Sequence, residues 1–176
     1  LIKPYPKDTE LFKPVDLHEK EALRRRLSIP TGRPILLFVG VILERKGADL
    51  FPAIFREVQK SIPSAGLVLA GPETNAILSG TNMTAGDYIR LELKEAIQNG
   101  SVILTGAVSN VHEYMQASDV FVFPSRNEGL PNAPLEAMAC GLPCVVRDIS
   151  GVTSTFIDNG INGYIVSGDE PHEFAR

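Results

Sequence analysis

A chain of 176 residues and 19.1 kDa, with 44% hydrophobic and 22% charged residues, is enough for one globular domain and too apolar to be disordered throughout. Its net charge of −4 lacks the excess of basic residues that a nucleic-acid sleeve or a polybasic membrane anchor would need, but leaves room for a local cationic pocket. Cys140 and Cys144 are too few for a disulfide framework, and the longest apolar run, Ile35 to Leu43, is broken by Gly40 and falls short of the ~20 residues that span a bilayer. No signal peptide is visible, and a chain opening on Leu1 reads as a piece of something longer.

In chain order, the prolines at 4, 6 and 14 give residues 1–14 the look of an extended linker. His18–Leu27 reads as a short helix whose Arg24-Arg25-Arg26 run is expected to be an exposed face, and Ile29–Pro34 reads as a loop. Short, continuously apolar runs then recur at Ile35–Gly40, Leu67–Gly71, Val102–Gly106, Val120–Phe123, Cys144–Arg147 and Gly163–Val166. Continuous apolarity, as opposed to alternation, is the mark of strands buried on both faces. Amphipathic stretches lie between them. Ala48–Ser61 sets Leu50, Ile54, Phe55 and Val58 on one face, and Tyr88–Gln98 does the same with Leu91, Leu93 and Ile97 before an Asn99-Gly100 stop. Val111–Ala117, Ala133–Ala139 and Val152–Ile157 are shorter helix candidates, and Pro171–Arg176 begins another. Strand and helix in alternation predict an α/β fold: a doubly wound, mostly parallel, six-stranded Rossmann-like sheet.

In such a sheet the ligand sits at the carboxyl ends of the strands, near the point where strand order reverses. The loops to read are therefore Gly40–Gly47, Gly71–Glu73, Gly106–Ser109 and the most polar of them, Pro124–Asn132. Neither a G-x-G-x-x-G fingerprint nor an NTPase phosphate loop occurs, and with no D-x-D pair and His18, His112 and His172 far apart in sequence, no metal ligand set is visible. What the polar loop does carry is Glu128 and Glu136, eight apart. With Asn132 read as an N-cap and Pro134 tolerated in the first turn, Glu128 precedes the helix and Glu136 lies about 6 Å along it. Two carboxylates would then flank a helix N-terminus that favours an anion. A ligand combining a phosphate with hydroxyl-rich rings would use both.

The text around these residues resembles the donor domain of the retaining glycosyltransferases of family 4 (group 1), one half of a GT-B fold. The resemblance rests on V-I-L-T-G-A-V-S at 102–109, A-S-D-V-F-V-F-P-S at 117–125, E-G-L-P-N-A-P-L-E-A-M-A-C-G-L-P-C-V-V at 128–146 and D-N-G-I-N-G-Y-I-V at 158–166. Leu11-Phe12-Lys13-Pro14 is similar to the end of that family's interdomain linker, so residues 1–14 are expected to be a linker remnant and residues 15–176 the nucleotide-sugar-binding domain, truncated at its C-terminus and without its N-terminal acceptor domain.

The resemblance implies a donor site in which Glu128 is the catalytic residue beside the donor sugar and Glu136 holds the ribose. It implies that Lys46 meets the diphosphate in the first-strand loop after Gly40, that Gly129, Leu130 and Asn132 face sugar and diphosphate, and that Ala107, Val108 and Ser109 meet the base. The partners implied are a nucleotide-sugar donor and, through the missing domain, an acceptor glycan, lipid or small molecule. No metal or other cofactor, no nucleic acid and no transmembrane segment is expected, and the location expected is cytoplasmic or peripheral at a membrane. The reaction implied is hexosyl transfer to an acceptor hydroxyl, with this piece inactive alone.

The sequence departs from the family at three places: Val41 stands where an arginine is usual, with Arg45 a candidate replacement; Pro4–Asp8 replaces the usual linker text; and the segment Pro72–Asp87 is long. Val41 keeps open a non-catalytic sugar-nucleotide-binding module, whereas the E-x7-E text disfavours the other alternative, a sugar-nucleotide epimerase of GT-B fold.

Overall fold

In the computed structural model, which describes residues 8–176, the six apolar runs form one sheet: β1 (Ile35–Val39), β2 (Gly66–Ala70), β3 (Val102–Gly106), β4 (Val120–Phe123), β5 (Cys144–Arg147) and β6 (Gly163–Val166). The order is β3-β2-β1-β4-β5-β6 and every neighbouring pair is parallel, so the sheet is wholly rather than mostly parallel. The first seven residues of the expected linker lie outside the described part. Central strands are apolar on both faces because both faces are covered: β2 is buried throughout, and Ile35, Leu37, Phe38, Phe121 and Val122 are fully enclosed.

Seven helices accompany the strands among the described residues: α1 (Leu17–Arg26), α2 (Phe51–Ser61), α3 (Ala85–Glu92), α4 (Lys94–Gln98), α5 (Val111–Gln116), α6 (Asn132–Ala139) and α7 (Pro171–Phe174). α5 packs against both α1 and α6, while α2 packs against α3 and α7, giving the two outer layers of a doubly wound domain. Phe38, Phe51, Phe121 and Phe123 knit the centre, with ring centroids 5.1 Å apart for Phe38–Phe51 and 5.9 Å for Phe121–Phe123.

The structure corrects several sequence expectations. The helix expected over Tyr88–Gln98 starts earlier, where the Thr84 hydroxyl caps the Asp87 amide, and breaks at Leu93 into α3 and α4. The helix expected from Ala48 begins as a 3₁₀ turn and becomes α-helical at Phe51. Val152–Ile157 forms only a 3₁₀ turn at Thr153–Thr155, because Thr153 spends its hydroxyl on the Arg147 carbonyl and the Ile149 amide, a local alternative to helix. Asn132 is the first helical residue of α6 and not its cap; Pro131 occupies the cap position.

Arg24 does not lie on an exposed face. It is 3% exposed, with Nε donating to the Ala117 carbonyl at 2.8 Å and Nη2 to Asp119 at 2.6 Å. Asp119, just before β4, also accepts from the Ile35 amide at 2.7 Å and from Lys20 at 3.0 Å. Burial alone would raise the Asp119 pKa, but the Ile35 amide and the two cations outweigh it and hold the carboxyl below its ordinary range. This cluster ties α1 to the amino edge of the sheet.

Candidate functional site

Strand order reverses between β1 and β4, so the crevice at their carboxyl ends is the switch point of the sheet. The loop leaving β1 runs through Gly40 into a 3₁₀ turn at Glu44–Lys46, and the loop leaving β4 runs from Pro124 to α6. The two are in backbone contact. Gly47 ends the turn at φ +72°, and a Cβ there would lie 2.2 Å from the Pro124 carbonyl oxygen, so only glycine lets the loops approach this closely. The Arg126 amide donates to the Arg45 carbonyl at 2.9 Å across the same seam.

This approach brings together two residues that are 82 positions apart. Lys46 Nζ lies 2.5 Å from Glu128 Oε1 and 5.9 Å from the centroid of the Phe123 ring. The fully buried Ser125 donates its hydroxyl to the same Glu128 oxygen at 2.6 Å. The Glu128 side chain is only 9% exposed, so a loop acid that would ordinarily be solvated is held at the mouth of the crevice.

α6 begins at this mouth. Its cap residue Pro131 and its third residue Pro134 have no amide hydrogen, and no side chain caps the helix. The first-turn amides that helix geometry leaves without an intrahelical partner are those of Asn132 and Ala133, and Gly129 and Leu130 precede them in the approach loop. Glu136 follows on the second turn, close enough to Cys140 to help raise that thiol. Burial is the larger cause there. It pushes Cys140 up to about 11 and Cys144 to about 12, so both stay protonated as small core residues. Ala107, Val108 and Ser109 follow β3 at the same carboxyl edge, with Ala107 and Ser109 exposed, but two strands away from β1.

Arg45 is placed differently from Lys46. It is exposed, and its Nη1 donates to the Asn127 carbonyl at 2.9 Å, bracing the β4 loop. The long segment after β2 folds back over the 3₁₀ turn: Glu44 accepts from the Ser79 amide at 2.8 Å and from its hydroxyl at 2.9 Å, which lowers the Glu44 pKa. Sequence reading did not single out Arg126, although its place between Ser125 and Glu128 was a usable signal. Among the described residues, no group of three or more His, Cys, Asp or Glu is arranged to hold a metal ion, and no helix is long and apolar enough to cross a membrane.

An all-parallel six-stranded sheet with helices on both faces, and with a cation–carboxylate pair and an uncapped helix start at its switch point, is an α/β domain of the Rossmann-like kind. Residues 19–176 match the family model for glycosyl transferases group 1, and the chain belongs to that family. It is 32% identical over 180 residues to D-inositol 3-phosphate glycosyltransferase of Geodermatophilus obscurus, covering 99% of this chain and 38% of that protein. Among solved structures, it is similar to the C-terminal domain of a group 1 glycosyl transferase, LpcC of Francisella tularensis, with a TM-score of 0.81 at 24% identity over 97% of this chain and 84% of that one. It is also similar to Anabaena HepE, in complex with UDP and glucose, with a TM-score of 0.76 at 21% identity over 96% of this chain and 43% of that one. The fold is thus that of the C-terminal half of a GT-B glycosyltransferase. The chain spans 30% to 45% of the length of the first curated relatives it matches.

Proposed function

We propose that the chain is the donor-binding half of a retaining, metal-independent glycosyltransferase that moves a hexosyl group from a nucleoside diphosphate sugar to an acceptor hydroxyl. The observation that carries this reading is the meeting of Lys46 and Glu128 at the switch point, beside the uncapped start of α6. In the reaction the bond between the anomeric carbon and the diphosphate oxygen breaks, its electron pair stays with the diphosphate, and the acceptor oxygen bonds to the same face of the sugar as its proton passes to the departing diphosphate. Lys46 and the α6 amides would take the charge that develops on the leaving diphosphate, a role that needs no divalent ion. Glu128 would face the oxocarbenium-like centre, Glu136 the ribose, and the Ala107–Ser109 loop the base.

The Lys46–Glu128 pair gives this reading a binding step. Ion pairing holds both side chains in place before the donor arrives, and the diphosphate then replaces Glu128 as the partner of Lys46, leaving the carboxylate for the sugar. The acceptor and the remaining catalytic groups would lie on a preceding N-terminal domain, with residues up to Pro14 as the linker, so this chain alone would bind donor without turnover. The intact enzyme would work in the cytoplasm or at a membrane face reached through that other domain.

Calorimetric titration of the chain with UDP, GDP and ADP, with and without EDTA, tests the site. Binding of at least one nucleotide that survives EDTA supports the reading, and a strict need for Mg²⁺ or Mn²⁺ overturns metal independence. One observation favours a second reading, a non-catalytic binding module: Val41 brings no charge, and Arg45 is engaged with the Asn127 carbonyl. Donor hydrolysis or transfer by the full-length protein separates the two.

A further inference from the structure

Next to the Lys46–Glu128 pair lies a second ionic assembly, centred on Arg126. Its guanidinium makes a two-pronged pair with Asp49, Nη1 to Oδ1 at 2.7 Å and Nη2 to Oδ2 at 2.8 Å, and Nη1 also donates to the Glu44 carbonyl at 2.5 Å. Nε reaches Asp169, in the turn after β6, at 3.3 Å, and Arg147 at the end of β5 pairs with the same Asp169. One side chain thus ties together the loops that leave β1, β4 and β6.

The placement of these contacts is specific. Glu44 opens the 3₁₀ turn that presents Lys46, and Asp49 lies two residues beyond Gly47, in the 3₁₀ turn that follows. Arg126 itself sits two residues before Glu128. Its planar fork, with donors fixed relative to one another, can set the distance between the two loops in a way a flexible ammonium cannot. The pairing with Asp49 also raises the Arg126 pKa, so the fork stays charged at any working pH.

We infer that Arg126 is a positioning residue of the donor site: clamped to Asp49 and the Glu44 carbonyl, it fixes the turn that carries Lys46 against the loop that carries Glu128. This rests on the donor-site reading above. Arg126 need not touch the ligand; its guanidinium is committed to Asp49, Glu44 and Asp169, and it acts through Lys46.

The test is a double-mutant cycle read as nucleoside diphosphate affinity of the chain, using whichever of UDP, GDP and ADP binds the wild type most tightly. R126A should weaken binding about tenfold, K46A by a similar or larger factor, and the double variant no more than K46A alone, because Arg126 acts only by placing Lys46. R126K, which restores one charged contact but not the fork, should recover part of the loss. Asp49→Asn reads the same clamp from its other end and should reproduce the R126A loss, which keeps the inference testable if R126A fails to fold. A folded R126A or D49N variant with wild-type affinity, or losses that multiply in the double variant, overturns the positioning role while leaving the donor site standing. If none of the three nucleotides binds the wild-type chain, the donor-site reading falls and the positioning role with it.

Discussion

The two edges of the sheet use the same ingredients, a buried or half-buried cation against a carboxylate, to opposite ends. At the amino edge, Asp119 accepts from Arg24, Lys20 and the Ile35 amide, while the Arg24 guanidinium also binds the Ala117 and Arg33 carbonyls. Every one of these contacts joins parts of the chain that must stay together, α1 to the starts of β1 and β4 and those two starts to each other. At the carboxyl edge, Lys46 bonds to Glu128 and leans on Phe123, and Glu128 is steadied by Ser125. That pair has fewer ties and sits at the switch point, where the proposed donor reading has a diphosphate exchange with the carboxylate without dismantling the core. A many-partnered ionic cluster is a structural rivet; a pair with few ties at a switch point is suited to be taken apart by a ligand.

Substitutions at the carboxyl edge should therefore move function and those at the amino edge should move stability. The largest effect is expected from Glu128→Gln in the full-length enzyme, which keeps the shape and removes the charge. kcat should fall on the order of 10²–10³-fold, as when one group stabilising a transition state is lost. Affinity of the chain for the plain nucleoside diphosphate should stay the same or rise slightly, since Lys46 no longer has a competing partner. Glu136→Ala should do the reverse, weakening the plain nucleotide and raising the donor KM with less effect on kcat. The opposite ranking in a titration would show the two carboxylates to be wrongly assigned.

Arg24→Ala is the matching cut at the amino edge. It leaves Asp119 and two carbonyls short of a donor and should cost about 2–3 kcal/mol, lowering Tm by roughly 5–10 °C in a chain of this size. Nucleotide affinity measured well below the melt should not change. A large loss of affinity in the folded variant would break the separation between the edges.

Lys46→Ala should weaken nucleoside diphosphate binding by about ten- to a hundredfold, the loss of one charge-assisted hydrogen bond of ~1.5–3 kcal/mol. Tm should move little. Unchanged affinity would remove Lys46 from the site.

The smallest effect concerns acid. The Asp119 pKa is held below its unfolded value of about 3.9, so the stability this group contributes is fully present above that pH and is lost as pH falls through the folded pKa. Denaturant unfolding at a series of pH values should show Asp119→Asn less stable than wild type near neutrality, with the difference shrinking towards pH 3. A difference that is flat with pH would mean that the Asp119 charge contributes nothing.

Much of this molecule is written locally. Short apolar runs marked all six strands, most cleanly β1, β2 and β4, which are covered on both faces, and less so β6, where Tyr164 is exposed, and the E-x7-E spacing located the acids around α6, because helical rise is constant. Where local signals compete, the sequence misleads: Thr153 turns a helix candidate into a 3₁₀ turn by capturing backbone groups, and Arg24, in a run of three arginines that reads as a solvated face, is drawn inward by Asp119, 95 residues away. The strand order, the contact of Gly47 with Pro124, the pairing of Lys46 with Glu128 and the clamp at Arg126 were decided only by tertiary structure. Each depends on which strands become neighbours, and in a parallel sheet neighbours are joined through long crossovers whose outcome no short window of sequence contains.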